Sequence, residues 1–434
     1  MNELATTLNE TLDGCVVGRA LSDLGRRLYF PKGVVAQTAE AAEHAHRFDA
    51  TVGIAATDGE PMHLPSVRAL VADLSPAEAF AYAPTAGLPA LRAAWREALL
   101  RKNPSLAGAF SLPLVTSGLT HAILLASDLF VGEGDVVLVP DLFWGNYRLI
   151  FVERSRAVLS TFPLFPAGEV RPAGMDLAAL DDALGAVVAG SKATVMLNFP
   201  NNPTGYSPRS DEVDQLVACL QRHAERGLTI VAICDDAYTG LFYEPEVFPQ
   251  SVFALLAAAH ENLLAVKIDG ATKENYAWGF RVGFITLAAS GVTAEQLAAL
   301  EKKLMGAVRS SVSNSSRLAQ SVMLKAMQSA AFDREREANF ALMADRYAAV
   351  REMVGGRDQG QLRPLPFNSG YFMTLRLEEG SAETLRTKLL HERGIGTISV
   401  GGQYLRVAYS AIKPADISTL FDEIYAAAAE LAAG

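Results

Sequence analysis

Short runs of aliphatic and β-branched residues alternate with Ala-rich helical stretches from about Leu112 to Thr286. This alternation predicts an α/β fold with a mainly parallel sheet, because the helices that connect parallel strands cover both faces of the sheet. We expect seven strands, and their runs lie near residues 113–116, 136–139, 158–161, 193–197, 229–234, 264–268 and 282–286.

The 434-residue chain is long enough for at least two domains. We predict a large domain over residues 63–342 and a small α+β domain over residues 343–434. A long helical stretch from about Ala294 through Val350 would link the two domains. Residues 1–62 are expected to form an N-terminal segment that packs with the small domain. The strands of the small domain are expected near Tyr371–Leu377 and Tyr404–Ala408.

Composition and charge exclude several classes of function for this chain. A net charge of −10 and a pI near 5.3 disfavour binding to nucleic acids or to acidic membranes. The chain starts without a signal-peptide pattern and contains no uncharged apolar stretch near 18 residues, so we expect no membrane association. Cys15, Cys219 and Cys234 form neither a metal-binding spacing nor an even disulfide set, which predicts a cytoplasmic protein without a metal site.

The segment Lys267–Gly283 contains the most informative combination of side chains in the sequence. Lys273 follows a turn of small residues, and Arg281 follows eight residues later within Arg-x-Gly. A lysine amine that loses its proton can form a Schiff base with an aldehyde. An arginine can bind a phosphate through two hydrogen bonds. Because pyridoxal phosphate (PLP) carries both groups, the pattern predicts a PLP site.

Two further strand ends carry side chains that suit such a site. Asn202 lies in the loop Asn198–Gly205, and its amide could bind a ring oxygen. Asp235 follows a buried strand and could pair with a protonated ring nitrogen, while Tyr238 could bind the phenolic oxygen of the ring. Both patterns also have ordinary interpretations, since Asn-Pro-x-Gly is common in turns and an aspartate after a strand commonly caps a helix.

Two more loops could bind a phosphorylated ring. Ser117, Gly118 and Leu119 join a strand to a helix, and the N–H groups in the first turn of a helix bind anions. Trp144 follows another strand and could stack on a flat ring. The alternatives are an N-capping serine with no anion bound and an aromatic residue that packs in the core.

In order and spacing, these motifs resemble those of the class I/II aminotransferases of PLP fold type I. The similarity extends from about Val52 to Arg406 and is nearest to the aspartate and aromatic aminotransferases. The resemblance implies a seven-stranded, mainly parallel sheet with helices on both faces, a smaller α+β domain, and a homodimer whose subunits share their active sites.

The resemblance also implies a role for each motif. Lys273 would be the Schiff-base lysine and the general acid/base, and Asp235 would pair with the ring nitrogen. Asn202 and Tyr238 would bind the ring oxygen, and Trp144 would stack on the ring. The phosphate would be held by residues of both subunits. Those of the same subunit are Ser117, Gly118, Leu119, Thr272 and Arg281, and Tyr82 would reach in from the neighbouring subunit.

Four positions are expected to bind the substrate. Arg406 resembles the arginine that clamps the α-carboxylate, and Asn202 is expected to contact substrate as well as cofactor. Gly53 resembles a glycine of the N-terminal segment that covers the substrate. Arg309 resembles an arginine that crosses the dimer to bind a side-chain carboxylate, which favours aspartate or glutamate. The alternatives for Arg309 are a surface helix arginine and one kept for dual specificity.

The sequence departs from the family pattern at three places. Gly270 stands where the family usually has a serine or threonine that contacts phosphate, so the site is one hydroxyl short unless Thr272 compensates. Ala55 stands where relatives of the aspartate type carry tyrosine, and Ser315 and Ser316 replace a Pro-Pro pair. The last two departures bear on the substrate rather than on the cofactor.

We therefore expect a PLP-dependent aminotransferase that moves an amino group from an L-amino acid, preferably aspartate or glutamate, to a 2-keto acid with ping-pong kinetics. Alternatives on the same fold are an aromatic or broad-specificity aminotransferase and another PLP reaction, such as β-elimination or decarboxylation. A sensor without turnover is disfavoured, because such regulators usually carry a DNA-binding segment and the sequence has no basic extension.

Overall fold

A seven-stranded sheet forms the centre of the computed structural model, which describes residues 1–12, 21, 23–29, 33–51, 53–166, 174–355 and 360–433. Two positions used in the sequence predictions, Cys15 and Val52, lie outside the described residues. All seven predicted runs form strands, and their bounds are Leu114–Ser117, Val136–Pro140, Val158–Phe162, Lys192–Asn198, Thr229–Asp235, Leu263–Gly270 and Val282–Ala289.

The sheet is mainly parallel, with one strand reversed. Val282–Ala289 runs antiparallel to both of its neighbours, whereas the other neighbouring pairs are parallel. The connection between Leu263–Gly270 and Val282–Ala289 is too short for a helical crossover, so the chain reverses there. Lys273 and Arg281 in this connection therefore lie at the edge of the sheet where the parallel strands end. Across the sheet the strands follow the order 114–117, 282–289, 263–270, 229–235, 192–198, 136–140 and 158–162.

Alternate residues of the central strands enter two different cores. In Thr229–Asp235, Ile230 and Ala232 pack into one core, and Val231 and Ile233 pack into the other. Successive side chains of a strand point to opposite faces, so both faces of the sheet are buried, as predicted. Helices Leu177–Gly185 and Ser210–Glu225 cover the first face, and Leu119–Phe130 and Ala294–Ser311 cover the second.

The predicted helical stretch from Ala294 to Val350 consists of three helices, Ala294–Ser311, Arg317–Met327 and Phe332–Gly355. The other helical elements before residue 294 are Glu3–Thr11, Asp23–Arg27, Val34–His44, Pro65–Leu70, Pro76–Ala79, Pro89–Lys102 and Phe253–Leu256, with a π-helix at Arg148–Arg154 and a 3-10 turn at Trp278–Phe280. None of the helices in the described ranges is long and apolar enough to cross a bilayer.

The C-terminal part contains a separate four-stranded antiparallel sheet. Both strands predicted there are present, and the strand order is Leu362–Pro364, Phe372–Leu377, Tyr404–Ala408 and Ile398–Val400. The helical elements beside this sheet are Ala382–Arg393, Tyr409–Ala411 and Pro414–Ala433.

The N-terminal segment contacts the C-terminal sheet. Strand Phe48–Asp49 pairs in parallel with Ile395–Gly396, and the backbone N–H of Ala408 donates to the carbonyl of Ala50 at 2.8 Å. A short hairpin, Ala56–Thr57 with Glu60–Pro61, follows. The boundaries at residues 62 and 342 stay predictions, and helix Phe332–Gly355 runs through the second of them.

Candidate active site

A cavity of about 300 Å³ opens at the edge of the sheet where the parallel strands end. It brings together side chains from five segments that are far apart in sequence. The residues that line it are Leu119, Thr120, Ile123, Trp144, Asn198, Asn202, Asp235, Ala237, Tyr238, Thr272, Lys273 and Arg281. Most of the cofactor residues predicted from sequence are in this set.

Asp235 presents one carboxylate oxygen that has no protein partner. Its Oδ2 accepts a hydrogen bond from the hydroxyl of Tyr147 at 2.5 Å, whereas its Oδ1 is buried and has no partner among the residues described. The side-chain amide of Asn198 donates to the Asp235 carbonyl at 2.9 Å and fixes the strand end. The sequence analysis missed Tyr147 and Asn198, although Tyr147 lies only three residues after Trp144.

Lys273 is a partly buried amine in the middle of this cavity. Its Nζ lies 5.0 Å from the centre of the Tyr238 ring. The pKa of Lys273 is lowered to about 8, mainly because the amine is buried; the Asp235 carboxylate opposes this shift, and the Arg281 cation adds to it. Tyr371 donates to the Lys273 carbonyl at 3.0 Å and holds its backbone. The amine can therefore lose its proton near neutral pH, as a nucleophile or base must.

The loop that precedes helix Leu119–Phe130 forms a cup for an anion. Gly118 caps the helix with a φ of +81°, and a Cβ atom there would lie 2.4 Å from an Nη of Arg281. Glycine is therefore needed for the guanidinium to pass over the helix N-terminus, the end of a helix that favours an anion. The Thr272 hydroxyl is buried nearby and has no partner within the described part of the chain.

The structure explains why glycine stands at position 270. A Cβ atom on Gly270 would lie 2.6 Å from the carbonyl oxygen of Val282 and 2.9 Å from the Cα of Gly283. These two glycines face each other across the antiparallel pair, so the strands approach more closely than side chains would permit. A serine or threonine does not fit there, and the unpartnered hydroxyl of Thr272 is available in its place.

Arg406 lies at the side of the cavity that faces the N-terminal segment. It donates to Asn202 Oδ1 at 3.0 Å and to the Thr51 carbonyl at 2.7 Å, and it stacks over Phe372. Burial lowers its pKa to about 10, so it remains a cation at neutral pH. Gly53 packs so closely on Phe372 that a Cβ atom would lie 2.8 Å from that ring. A buried cation beside a close-packed strand segment can bind a carboxylate.

Tyr82 and Arg309 do not line the cavity of their own subunit. Tyr82 is 90% exposed, and the exposed Arg309 donates only to Ser313 Oγ, at 2.5 Å, in the contacts described. Their contribution to a neighbouring subunit remains a prediction. The segment after Arg309 is nevertheless attached to the anion cup, because the Ser117 hydroxyl donates to Ser315 at 3.2 Å.

One group of potential metal ligands lies outside the cavity, between two helices. Oδ1 of Asp181 accepts hydrogen bonds from His223 at 2.7 Å, Arg222 at 3.2 Å and Cys219 at 3.4 Å. These three donors account for the clustering of the side chains. Cys219 and Cys234 are both buried free thiols, and burial raises the pKa of each, so neither is a ready thiolate.

Sequence comparison assigns the family. The profile described as aminotransferase class I and II matches residues 19–424, which is nearly the whole chain. The chain belongs to this family. A curated relative, a probable aspartate/prephenate aminotransferase of Aquifex aeolicus, is 28% identical over 207 residues, which cover 47% of this chain and 48% of that protein. The chain thus spans about half the length of the curated relatives it matches.

Solved structures share the fold over almost the full length. An aminotransferase from Anaerococcus prevotii has a TM-score of 0.80 at 22% identity, covering 92% of this chain and 98% of that one. The aspartate aminotransferase of Thermus thermophilus with maleate has a TM-score of 0.74 at 20% identity, covering 94% of this chain and 100% of that one. These likenesses confirm the predicted PLP fold type I architecture.

Members of the class I and II family use PLP, and the residues present fit this cofactor. Asp235 offers a buried oxygen and Thr272 a buried hydroxyl, and neither atom has a hydrogen-bond partner in the described ranges. Gly118 leaves room for the Arg281 guanidinium over the helix N-terminus, and Arg281 and the amine of Lys273 line the same cavity. These are the groups that a phosphate, a pyridine nitrogen and an aldehyde require.

Proposed function

We propose that this protein is a PLP-dependent aminotransferase that moves an amino group from an L-amino acid to a 2-keto acid. The observation that carries the proposal is one cavity that is lined both by Lys273, whose pKa is lowered, and by Asp235, whose Oδ1 has no partner among the described residues. The Arg406 cation, bound to Asn202 of the cavity lining, supplies a carboxylate clamp.

Bound PLP supplies an aldehyde that captures amines and a ring that takes up electrons from a neighbouring carbon. Asp235 would hold a proton on the ring nitrogen through its Oδ1. Arg406 would fix the substrate α-carboxylate, and Gly53 would let the N-terminal segment close over it without a steric clash. The Nζ of Lys273 would take up the proton that the substrate α-carbon loses and return it to the carbon that the PLP aldehyde contributes, on the other side of the amino nitrogen.

A panel of amino donors with 2-oxoglutarate tests the reaction class. We expect release of the donor's keto acid only when the acceptor is present, with one glutamate formed for each keto acid. Keto acid with free ammonia in the absence of acceptor would indicate β-elimination, and carbon dioxide would indicate decarboxylation. Either result would replace transamination as the function of this site.

We further propose that the substrate is a dicarboxylic amino acid and that a second copy of the chain completes the site. The support is the exposure of Tyr82 and of its neighbour Phe80, which are 90% and 85% exposed. Both follow helix Pro76–Ala79, which packs against helix Arg317–Met327. Exposed aromatic pairs of this kind are typical of protein interfaces. Arg309 is exposed with no carboxylate partner in the contacts described, which leaves its cation available to a neighbour.

Arg309→Leu is expected to lower kcat/KM for aspartate on the order of 100-fold, because the side-chain carboxylate would lose its ion pair in a desolvated site. Activity on phenylalanine and alanine should change less than about threefold, since neither has that carboxylate. The assay is initial rate with each donor at fixed 2-oxoglutarate. Lys303→Leu, an exposed cation on the same helix, is the matched control and should leave all three rates unchanged.

Two inactive variants together test whether Arg309 acts across the dimer. A Lys273→Ala subunit retains Arg309, and an Arg309→Leu subunit retains Lys273, so a mixed dimer contains one complete site. Co-expression with two different tags should therefore restore activity on aspartate. A doubly tagged dimer without that activity, or a fully active monomer in sedimentation, would contradict the shared site.

A further inference from the structure

Tyr147 contacts two predicted cofactor residues, Trp144 and Asp235. Its side chain is fully buried, and its ring lies edge-on to Trp144 with the ring centres 5.6 Å apart. Its backbone N–H donates to the Trp144 carbonyl at 3.0 Å and closes a turn. Phe143 and Phe151 also pack against the Tyr147 ring, with ring centres 6.3 and 6.1 Å away.

The Tyr147 hydroxyl points toward the carboxylate of Asp235. The Tyr147 hydroxyl donates to Oδ2 at 2.5 Å, and Asp235 itself is only 4% exposed. Because a carboxylate is planar, fixing Oδ2 also fixes where Oδ1 points. Oδ1 has no partner among the described residues, and Asp235 lines the cavity. The carboxylate therefore has one oxygen committed to the protein and one left for a ligand.

We propose that Tyr147 is a positioning residue for the cofactor: its hydroxyl anchors one oxygen of Asp235 and so presents the other, as an anion, to the ring nitrogen. This inference rests on the proposed function, since it assigns a partner to the residue that would hold the ring. Through the same side chain, the positions of Trp144 and Asp235 are coupled.

The electrostatics of the pair agree with this role. Burial raises the pKa of Asp235 to about 6, and the Tyr147 hydrogen bond opposes that rise, as does the Lys273 cation. Asp236 is the other charged group that acts on it, while Tyr238 and the Cys234 thiol lie close by and are neutral. Burial and the Asp235 charge raise the pKa of Tyr147, so it remains a hydrogen-bond donor at all working pH values.

Tyr147→Phe tests the inference, because phenylalanine keeps the ring packing and removes only the hydroxyl. We expect the dissociation constant of PLP, measured by absorbance after removal and return of the cofactor, to rise on the order of tenfold or more. Tyr206→Phe is the matched control. It removes a buried tyrosine–carboxylate hydrogen bond, to Glu212 at 2.6 Å, that lies outside the cavity, and it should change PLP affinity less than twofold.

The pH dependence of PLP affinity distinguishes positioning from a purely structural role. Asp235 pairs with the ring nitrogen only as an anion, so affinity should fall as the pH drops through the pKa of its carboxyl group, about 6 in the free protein. The hydroxyl lowers that pKa, so in Tyr147→Phe the fall should begin at higher pH. A structural defect would weaken binding at every pH and leave the inflection where it is.

A double-mutant cycle checks the same pairing independently. In an Asp235→Asn background, Tyr147→Phe should have little further effect on the PLP dissociation constant, because the anion it anchors is gone. Unchanged affinity and an unchanged inflection in Tyr147→Phe, or equal effects of this substitution in both backgrounds, would overturn the inference alone. A wild-type protein that binds no PLP at any pH would overturn the proposed function with it.

Discussion

Replacement of Lys273 by alanine is expected to lower the rate of transamination by about 10³-fold or more while leaving the fold intact, since the loss of a positioned acid/base alone costs 10²- to 10⁴-fold. Lys273 is the lysine that lines the cavity in the described part of the chain, and its pKa of about 8 makes its amine available near neutral pH. No neighbouring amine can replace it, because Lys267 is paired with Asp236 and its pKa is raised.

Two quantities test this prediction, the rate of transamination and the covalent attachment of PLP to Lys273. Wild-type protein with PLP should be coloured and, after borohydride reduction, should carry a stable adduct on the peptide that contains Lys273. The alanine variant should bind PLP without that adduct, and a small added amine should restore part of its turnover by occupying the space left by the side chain. Lys192→Ala, at the opposite end of a central strand, is the control and should keep both signals. Full turnover by Lys273→Ala would remove the basis of the proposal.

The sequence was sufficient for the central strands because they are runs of mainly aliphatic residues buried on both faces, whereas the edge strand Val158–Phe162 is mostly exposed or half-buried. The sequence did not predict the order of the strands, because that order depends on pairings between segments far apart in sequence. The reversal of Val282–Ala289 was missed for that reason. The connection that causes it is only eleven residues long, and its length is the signal that was available.

Within the site, the sequence predicted the residues that follow strand ends, but it did not predict the residues that contact and position them. Asp235 was predicted from its place after a buried strand, but Tyr147 reaches it from a loop 88 residues earlier. The steric reason for Gly270 lies in Gly283 and the Val282 carbonyl on the adjacent strand, which no local pattern contains. The roles of Tyr82 and Arg309 also do not follow from the structure of one subunit, because the groups that they are predicted to contact belong to another subunit.

The adjacent aspartates show most directly what the structure adds. Two consecutive acidic residues offer the same chemistry in sequence, yet successive side chains of a strand point to opposite faces. Asp235 faces the cavity, and Asp236 lies behind it against the buried amine of Lys267. Ser251 also donates to Asp236, at 2.6 Å, and Asp269 is the second carboxylate near Lys267, at 3.4 Å. Replacement of Asp235 should therefore affect the cofactor site, whereas replacement of Asp236 should affect the stability of the fold.

Asp236→Ala is expected to destabilise the protein by about 3–5 kcal/mol, because it leaves the Lys267 cation in the interior without its closest counter-charge. The urea midpoint, followed by far-UV circular dichroism, measures the loss. Asp211→Ala removes an exposed ion pair with Arg209 and should leave the urea midpoint close to that of the wild type. Adding Lys267→Met to Asp236→Ala should recover part of the loss, since the unpaired charge is then gone. If Asp236→Ala unfolds at the wild-type midpoint, the buried pair does not stabilise the sheet edge on which Asp235 is mounted.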